Sequence, residues 1–325
     1  MADTARPVGP VAGHTPISLD DVDHRMHHLI GQANNTPARD AALYHLSTGG
    51  HRMRARLALA SAAAWLDESD AIAAAAACEL LHNASLVHDD ISDGDRLRRG
   101  HATVAARFGN DVALCAGDLL LTAAFEAASE IVHPATARSL SRAMARCAGR
   151  VIGGQSLELA HTSPPARVGF RDYLRATRDK TAPLIEVAIG AGLAAAPRPL
   201  GDLTPGHRYE EHAVRRLAEA IGLAYQILDD LDDLGETMPP SDEAARLHAL
   251  HAWWHHQPPG QAATPARAVR TRQRCLHHVE AALQRAERLS KLLPGDLAAA
   301  VHALTRRLTA KAQAHRQYPP RANGE

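Results

Sequence analysis

Aromatic side chains are scarce: 3% of the 325 residues, as 3 Phe, 3 Trp and 5 Tyr. The core must therefore be aliphatic, and a hydrophobic share of 46% is enough to build one. Lysine is scarcer still. Only Lys180, Lys291 and Lys311 occur among 36 basic residues, the rest being Arg. Neither sign of charge is in excess, 36 Lys+Arg against 36 Asp+Glu, so no global field draws nucleic acid or an anionic membrane. Cys78, Cys115, Cys147 and Cys275 are far apart and form no CxxC pair. That excludes a disulfide framework and a Cys-rich zinc site, and leads to the expectation of a reducing, cytoplasmic setting. The opening MADTARPVGPVAGHTP has no apolar h-region, so no signal peptide is expected. No run of roughly 18 apolar residues is found, so stable membrane insertion is not expected either. Histidine is abundant, with 21 residues, and would make the chain cationic in mild acid.

What is present is helix-forming. Ala, Leu, Arg and Glu dominate, and no segment alternates convincingly as a strand. The pattern predicts helices near 18–34, 38–47, 51–65, 69–93, 101–108, 111–132, 134–160, 169–195, 208–235, 242–256, 264–290 and 294–313. Pro- and Gly-rich joins separate them. The expectation is an all-α fold: one helical domain over 18–317, with disordered tails at 1–17 and 318–325. The stretch 236–267 is rich in Pro, His and Ala and has weak periodicity.

Two acidic clusters carry the chemistry. Asp89-Asp90-Ile91-Ser92-Asp93 places Asp89 and Asp93 one helical turn apart, where like charges repel unless a cation joins them. His82 and Ser85 precede Asp89 on the same face. Asp229-Asp230-Leu231-Asp232-Asp233 repeats the arrangement. There Gln226, Asp229, Asp230 and Asp233 form a polar stripe beside the apolar stripe Val214, Leu217, Ile221, Ala224 and Leu228. Oxygen-only ligands at this spacing suit Mg²⁺, which keeps waters and bridges substrate phosphates. One such cluster is a weak signal, since a solvated acidic face explains it equally well. Two in one chain, each with apolar helical neighbours, are specific.

Candidate anion clamps surround the clusters. Arg98-Arg99-Gly100 offers two guanidiniums suited to bidentate phosphate binding. Gly49-Gly50-His51-Arg52-Met53-Arg54 sets glycines and cations at a helix start, where free N–H groups attract anions. Lys180-Thr181 adds an ammonium and a hydroxyl. Metal sites and anion clamps on one scaffold point to a diphosphate substrate. By contrast, His24, His27 and His28, like His251 and His255, are read as surface histidines, and Trp253-Trp254 as packing. Asp118 is read as a structural hydrogen-bond partner.

The stretch LLHNASLVHDDISDGDRLRRGHATVAARFGNDVALCAGDLLL over 80–121 resembles the first aspartate-rich region of the trans-isoprenyl diphosphate synthases, the polyprenyl synthetase family. GGQSLEL (153–159), KTAPLIE (180–186) and AYQILDDLDD (224–233) resemble its later motifs in order. The resemblance implies an isoprenoid synthase-type bundle of antiparallel helices around a central cavity, in a homodimer. It also implies small-molecule prenyl diphosphate substrates and about three Mg²⁺ ions. Asp89, Asp93 and Asp229 would be metal ligands, and Asp90, Asp230 and Asp233 direct or water-mediated partners. Arg98 and Lys180 would hold the allylic diphosphate. His51 beside Gly50, with Arg54, His82 and Arg99, would hold isopentenyl diphosphate. Thr181 and Gln226, with Lys180, would line the reacting centre. Ala84, Ser85 and a deeper Phe125 would set chain length, and small residues at 84 and 85 favour C20 or longer over C15.

The chain also departs from that pattern. His51 stands where the family usually has lysine, and no lysine lies between Lys180 and Lys291. Arg246 or a nearby His is the candidate substitute. These departures keep two alternatives open: a terpene synthase-like lyase that needs no isopentenyl diphosphate, and a non-catalytic subunit of a synthase heteromer. Intact Asp clusters argue against the second. The aromatic scarcity argues against the first, because aromatic faces stabilise carbocations.

Overall fold

Runs of alanine set the architecture. A computed structural model of the chain describes residues 17–160, 170–195, 206–233 and 265–317. α1 (Leu19–Gln32), α2 (Pro37–Ser47) and α3 (Met53–Ala62) lead into the long α4 (Glu68–Asp93). Ala71 and Ala73–Ala77 of α4 are fully buried. α4 packs most extensively on α6 (Asn110–Ser129), which turns Ala113, Ala116, Ala123, Ala124 and Ala127 inward. Small side chains let the two axes approach closely, which offsets the little area each alanine buries. By length and composition alone α6 could cross a membrane; 44% of that apolar window is buried inside the bundle.

α4 ends where its first acidic cluster ends. Gly94, at φ 67°, adopts the left-handed cap that stops the helix after Asp93. A short hairpin follows, β1 (Leu97–Arg98) against β2 (His101–Ala102), then α5 (Val104–Phe108). A helix over 101–108 was expected with no strand. Both turn residues, Arg99 (φ 53°) and Gly100 (φ 81°), are left-handed, as a two-residue hairpin turn requires. Arg is an unusual choice for the first of these, so the signal was weak.

α7 (Pro134–Ala160) precedes a second departure from expectation. The single helix expected over 169–195 is two, α8 (Phe170–Lys180) and α9 (Ala182–Gly190), followed by a 3-10 turn at Leu193–Ala195. Pro183 lacks an N–H and its ring opposes the carbonyl of residue 179, so the chain breaks at Thr181. α10 (Gly206–Asp233) packs against α9 and against α11 (Pro265–Ser290). α12 (Gly295–Gln317) closes the bundle on α11, α3 and α10. The expected helix at 242–256, and the tails apart from Ile17, lie outside the described residues.

Candidate active site

The first acidic cluster stands on the last turn of α4, and the second closes the described span of α10. A helix's last turn is the negative end of its macrodipole, where carboxylates are disfavoured. Each cluster therefore needs cations or donors, and the break between α8 and α9 supplies them to both. Lys180 Nζ lies 3.6 Å from Asp89 Oδ1. The next residue, Thr181, donates its hydroxyl to Gln226 Oε1 at 2.9 Å. Gln226 Nε2 in turn donates to Asp230 Oδ1 at 3.0 Å. Two adjacent residues thus tie α4's cluster to α10's, although the clusters are 140 positions apart in sequence.

The middle acids are held by the scaffold. Asp90 is 1% exposed, and its Oδ1 receives Arg98 Nε at 2.7 Å and Nη2 at 2.6 Å. Burial raises the Asp90 pKa, opposed by the Arg98 hydrogen bond and charge. Asp230 is also buried. Asp89 and Asp93 are half-buried and Asp229 is exposed. The side chain of Asp233 lies outside the described residues.

The anion clamps meet at the start of α3. Gly50, at φ 146°, lies against the Arg99 guanidinium, which also donates to Gly49 O. A Cβ at Gly50 would collide with that guanidinium. Arg52 is left-handed (φ 46°) and buried, a strained conformation of order 1 kcal/mol or more. It is held by Asp23 at 2.8 Å, Glu79 at 3.9 Å and the Leu46 carbonyl at 3.1 Å. Glu79 Oε2 also accepts the Ala55 N–H at 2.9 Å, one of the unsatisfied donors of the first turn. His51 precedes the helix and is exposed.

Arg54 and His82 form a buried pair, Arg54 Nη1 donating to His82 Nε2 at 2.9 Å. An arginine cannot accept, so His82 is neutral with its proton on Nδ1. Burial, then the nearby Arg54, Arg99 and Arg98 charges, drive its pKa well below the usual imidazole range. Burial also opposes the Arg54 charge, while Tyr225, Glu79 and Asp229 support it. His45 lies beneath, its Nε2 donating to Asn83 Oδ1 at 3.0 Å, and burial followed by Arg99 lowers it to about 4.

Among the described residues, no three acidic, His or Cys side chains converge as a ready-made cage. The donor chemistry still fits Mg²⁺: hard oxygens on Asp89, Asp93 and Asp229, plus a buried Asp90 Oδ2 that makes no hydrogen bond. Such a site is completed by substrate phosphates rather than by protein alone.

Ala84 is buried and Ser85 half-buried, Ser85 donating to the His82 carbonyl at 2.8 Å. Phe125 is half-buried on α6 against the core. Asp118 lies 3.4 Å from His88 on the outer side of α6. On α1, His27 bonds the Asp23 carbonyl at 2.8 Å and His28 contacts Gln32. Arg246, His251, Trp253, Trp254 and His255 lie outside the described residues.

The Polyprenyl synthetase family profile matches residues 36–239, which contain every motif just described. The chain belongs to the polyprenyl synthetase family. It is 34% identical over 196 residues to a short chain isoprenyl diphosphate synthase of Methanocaldococcus jannaschii, covering 60% of this chain and 57% of that protein. It is 32% identical over 235 residues to the octaprenyl diphosphate synthase of Escherichia coli, covering 67% of each. Its fold matches a crystal structure of geranylgeranyl pyrophosphate synthetase from Pyrococcus horikoshii. The TM-score is 0.73 at 22% identity, over 89% of this chain and 95% of that one. The fold is thus the all-α bundle of this family. The matched segment spans less than two thirds of the length of the Methanocaldococcus relative.

Sequence reasoning within the family pattern overlooked several site residues. Tyr225 sits near Arg54 and Arg99, and its only signal was its place beside Gln226. Glu79 and Asp232 hold α3 and α12 through contacts that no local pattern displays.

Proposed function

We propose that this chain is a Mg²⁺-dependent prenyl diphosphate synthase, a transferase of isoprenoid biosynthesis. It would condense an allylic diphosphate with isopentenyl diphosphate. The observation that carries this is the Lys180–Thr181 junction, which joins both acidic clusters at one point of the cavity. Asp89, Asp93 and Asp229 would hold the metal. When bound, Mg²⁺ supplies positive charge to the departing diphosphate. Lys180 adds an ammonium beside Asp89, and Arg98 a guanidinium held in place by Asp90. These charges favour breaking the allylic C–O bond, because they act where negative charge develops. Thr181 and Gln226, hydrogen-bonded to each other, would line the reacting centre with fixed dipoles. The isopentenyl double bond attacks the allylic cation, and the released diphosphate takes the proton.

Small residues at Ala84 and Ser85 leave room for a growing chain, with Phe125 as a deeper floor, which supports a product of C20 or longer. A homodimer through α6 is supported by its apolar outer side, where Leu114 is 52% exposed. The test gives purified protein Mg²⁺ with C5, C10 or C15 allylic diphosphates, with and without isopentenyl diphosphate. Longer diphosphates made only with both substrates are expected. Hydrocarbon or alcohol from the allylic substrate alone would overturn the reading in favour of a lyase. Inertness reversed by a second subunit would overturn it in favour of a modulatory role.

A further inference from the structure

The second acidic cluster sets four carboxylates in five residues: Asp229, Asp230, Asp232 and Asp233. Like charges within one turn repel. An α-helix turns about 100° per residue, so positions 230 and 232 lie about 160° apart, with Asp229 in the sector between them. Each edge of that sector is gripped by a different part of the chain. On the Asp230 edge, Gln226 Nε2 donates to Asp230 Oδ1 at 3.0 Å, and Thr181 is bonded to Gln226. On the other edge Asp232 meets α12. His315 Nε2 donates to Asp232 Oδ1 at 2.9 Å, and Lys311 pairs with the other oxygen of the same carboxylate.

A third helix locks this contact. Arg272 Nη2 of α11 donates to His315 Nδ1 at 2.7 Å. A guanidinium cannot accept, so Nδ1 is the acceptor and the His315 proton stands on Nε2, facing Asp232. One tautomer serves both contacts, and α10, α11 and α12 meet at a single carboxylate. The His315 side chain is 12% exposed and that of Asp232 48%, so the carboxylate is reached from a packed helix and not from a loose surface residue. Both Asp232 oxygens are engaged, and its charge is matched by Lys311. Asp229, between the two grips, is left exposed.

We propose that Asp232 is a positioning residue for the metal site: Lys311 and His315 withdraw it from the metal-binding carboxylates and, through it, fix the direction in which α10 presents Asp229. This rests on the synthase reading above, in which Asp229 holds Mg²⁺. Hydrogen-bonded groups outside the ligand set orient the ligands and strengthen metal binding. The α12 cation therefore has two opposed effects. Its charge alone repels a second cation from the cluster. Its grip on Asp232 keeps the end of α10 from turning, which favours that cation, and the grip is the larger effect.

The test reads Mn²⁺ binding by electron paramagnetic resonance, with inorganic pyrophosphate present, beside thermal melts. Wild type, Asp232→Leu, Asp232→Asn and Lys311→Met are compared, with the exposed neighbour Arg306→Ala as control. Asp232→Leu should weaken Mn²⁺ about tenfold, as loss of a group that orients a ligand does. Asp232→Asn keeps an acceptor oxygen for His315 and should recover most of that loss. Lys311→Met should weaken Mn²⁺ about threefold, since the pair is part-exposed. Arg306→Ala should bind as wild type. In turnover, the Mg²⁺ concentration needed for half-maximal rate should rise in the same order. If Asp232→Leu does not fold, Lys311→Met decides alone. Tighter or unchanged Mn²⁺ binding in Lys311→Met overturns the proposal, because charge removal by itself tightens a cation. Equal losses in Asp232→Asn and Asp232→Leu make Asp232 a ligand and overturn it as well. Lower melting temperatures with wild-type Mn²⁺ binding reduce the contact to a structural one, which also overturns it. Tether-dependent Mn²⁺ binding in a protein that never elongates overturns the synthase reading and leaves the positioning role standing.

Discussion

The two acidic clusters share a spelling and differ in how they are held. In the first, buried Asp90 is neutralised by a guanidinium eight residues on, delivered by the hairpin. In the second, buried Asp230 receives a neutral amide from Gln226, and Lys311 and His315 of α12 reach Asp232. The first cluster thus has a guanidinium from its own neighbourhood as well as Lys180 from the α8–α9 break. The second depends on an element 80 residues away. In both, the second acid serves the scaffold while the first is left toward the cavity. Spacing alone therefore does not say which carboxylates are available to a metal.

The largest test of this comparison is on turnover. Asp89→Ala and Asp229→Ala should each lower kcat by about 10³-fold, as loss of electrostatic stabilisation at a reacting diphosphate does. A small effect at either would break the symmetry of the cavity-facing positions. Next comes stability. Asp90→Ala leaves Arg98 without its partner and should cost about 4 kcal/mol in denaturant unfolding. Asp230→Ala removes a carboxylate that accepts from the neutral Gln226 amide and should cost about 2 kcal/mol. Equal losses would show that the two clusters are held alike.

Acid should strike the first region harder. His45 and His82 lie under it, both neutral when folded. Unfolded His takes a proton near 6.5, whereas folded His45 does so at about 4. Between those values the unfolded state binds more protons, so stability falls as pH falls. The His45 contribution is fully present above 6.5, and up to about 3 kcal/mol is lost by pH 4. His82, also lowered by burial, adds a loss of the same sign. A His45→Gln variant should flatten the upper part of that slope in thermal melts. The smallest effect is at the anion clamp. His51→Lys should tighten isopentenyl diphosphate about fivefold, measured as KM, by restoring a charge worth about 1 kcal/mol.

The helical class, most helix positions and both acidic clusters were legible from residues alone, because helix periodicity and motif spacing are local. Pro183 was legible too, yet the apolar run around it suggested one helix where there are two. The hairpin at Leu97–Ala102 escaped because Arg99 is not a residue that announces a left-handed turn. The attachment of α12 to Asp232 had no signal in its own segment, where Lys311 and His315 look like an ordinary solvated face.

The sequence by itself determined that this is an aliphatic, lysine-poor helical bundle with two carboxylate clusters and the motifs of one family. Tertiary structure alone decided which of those carboxylates are buried. It also decided that adjacent Lys180 and Thr181 serve both clusters, and that the last helix is anchored on Asp232. The physical reason is range. Propensity and periodicity act over a turn or two, whereas the contacts that join the two clusters and anchor the last helix link residues 45 to 91 positions apart.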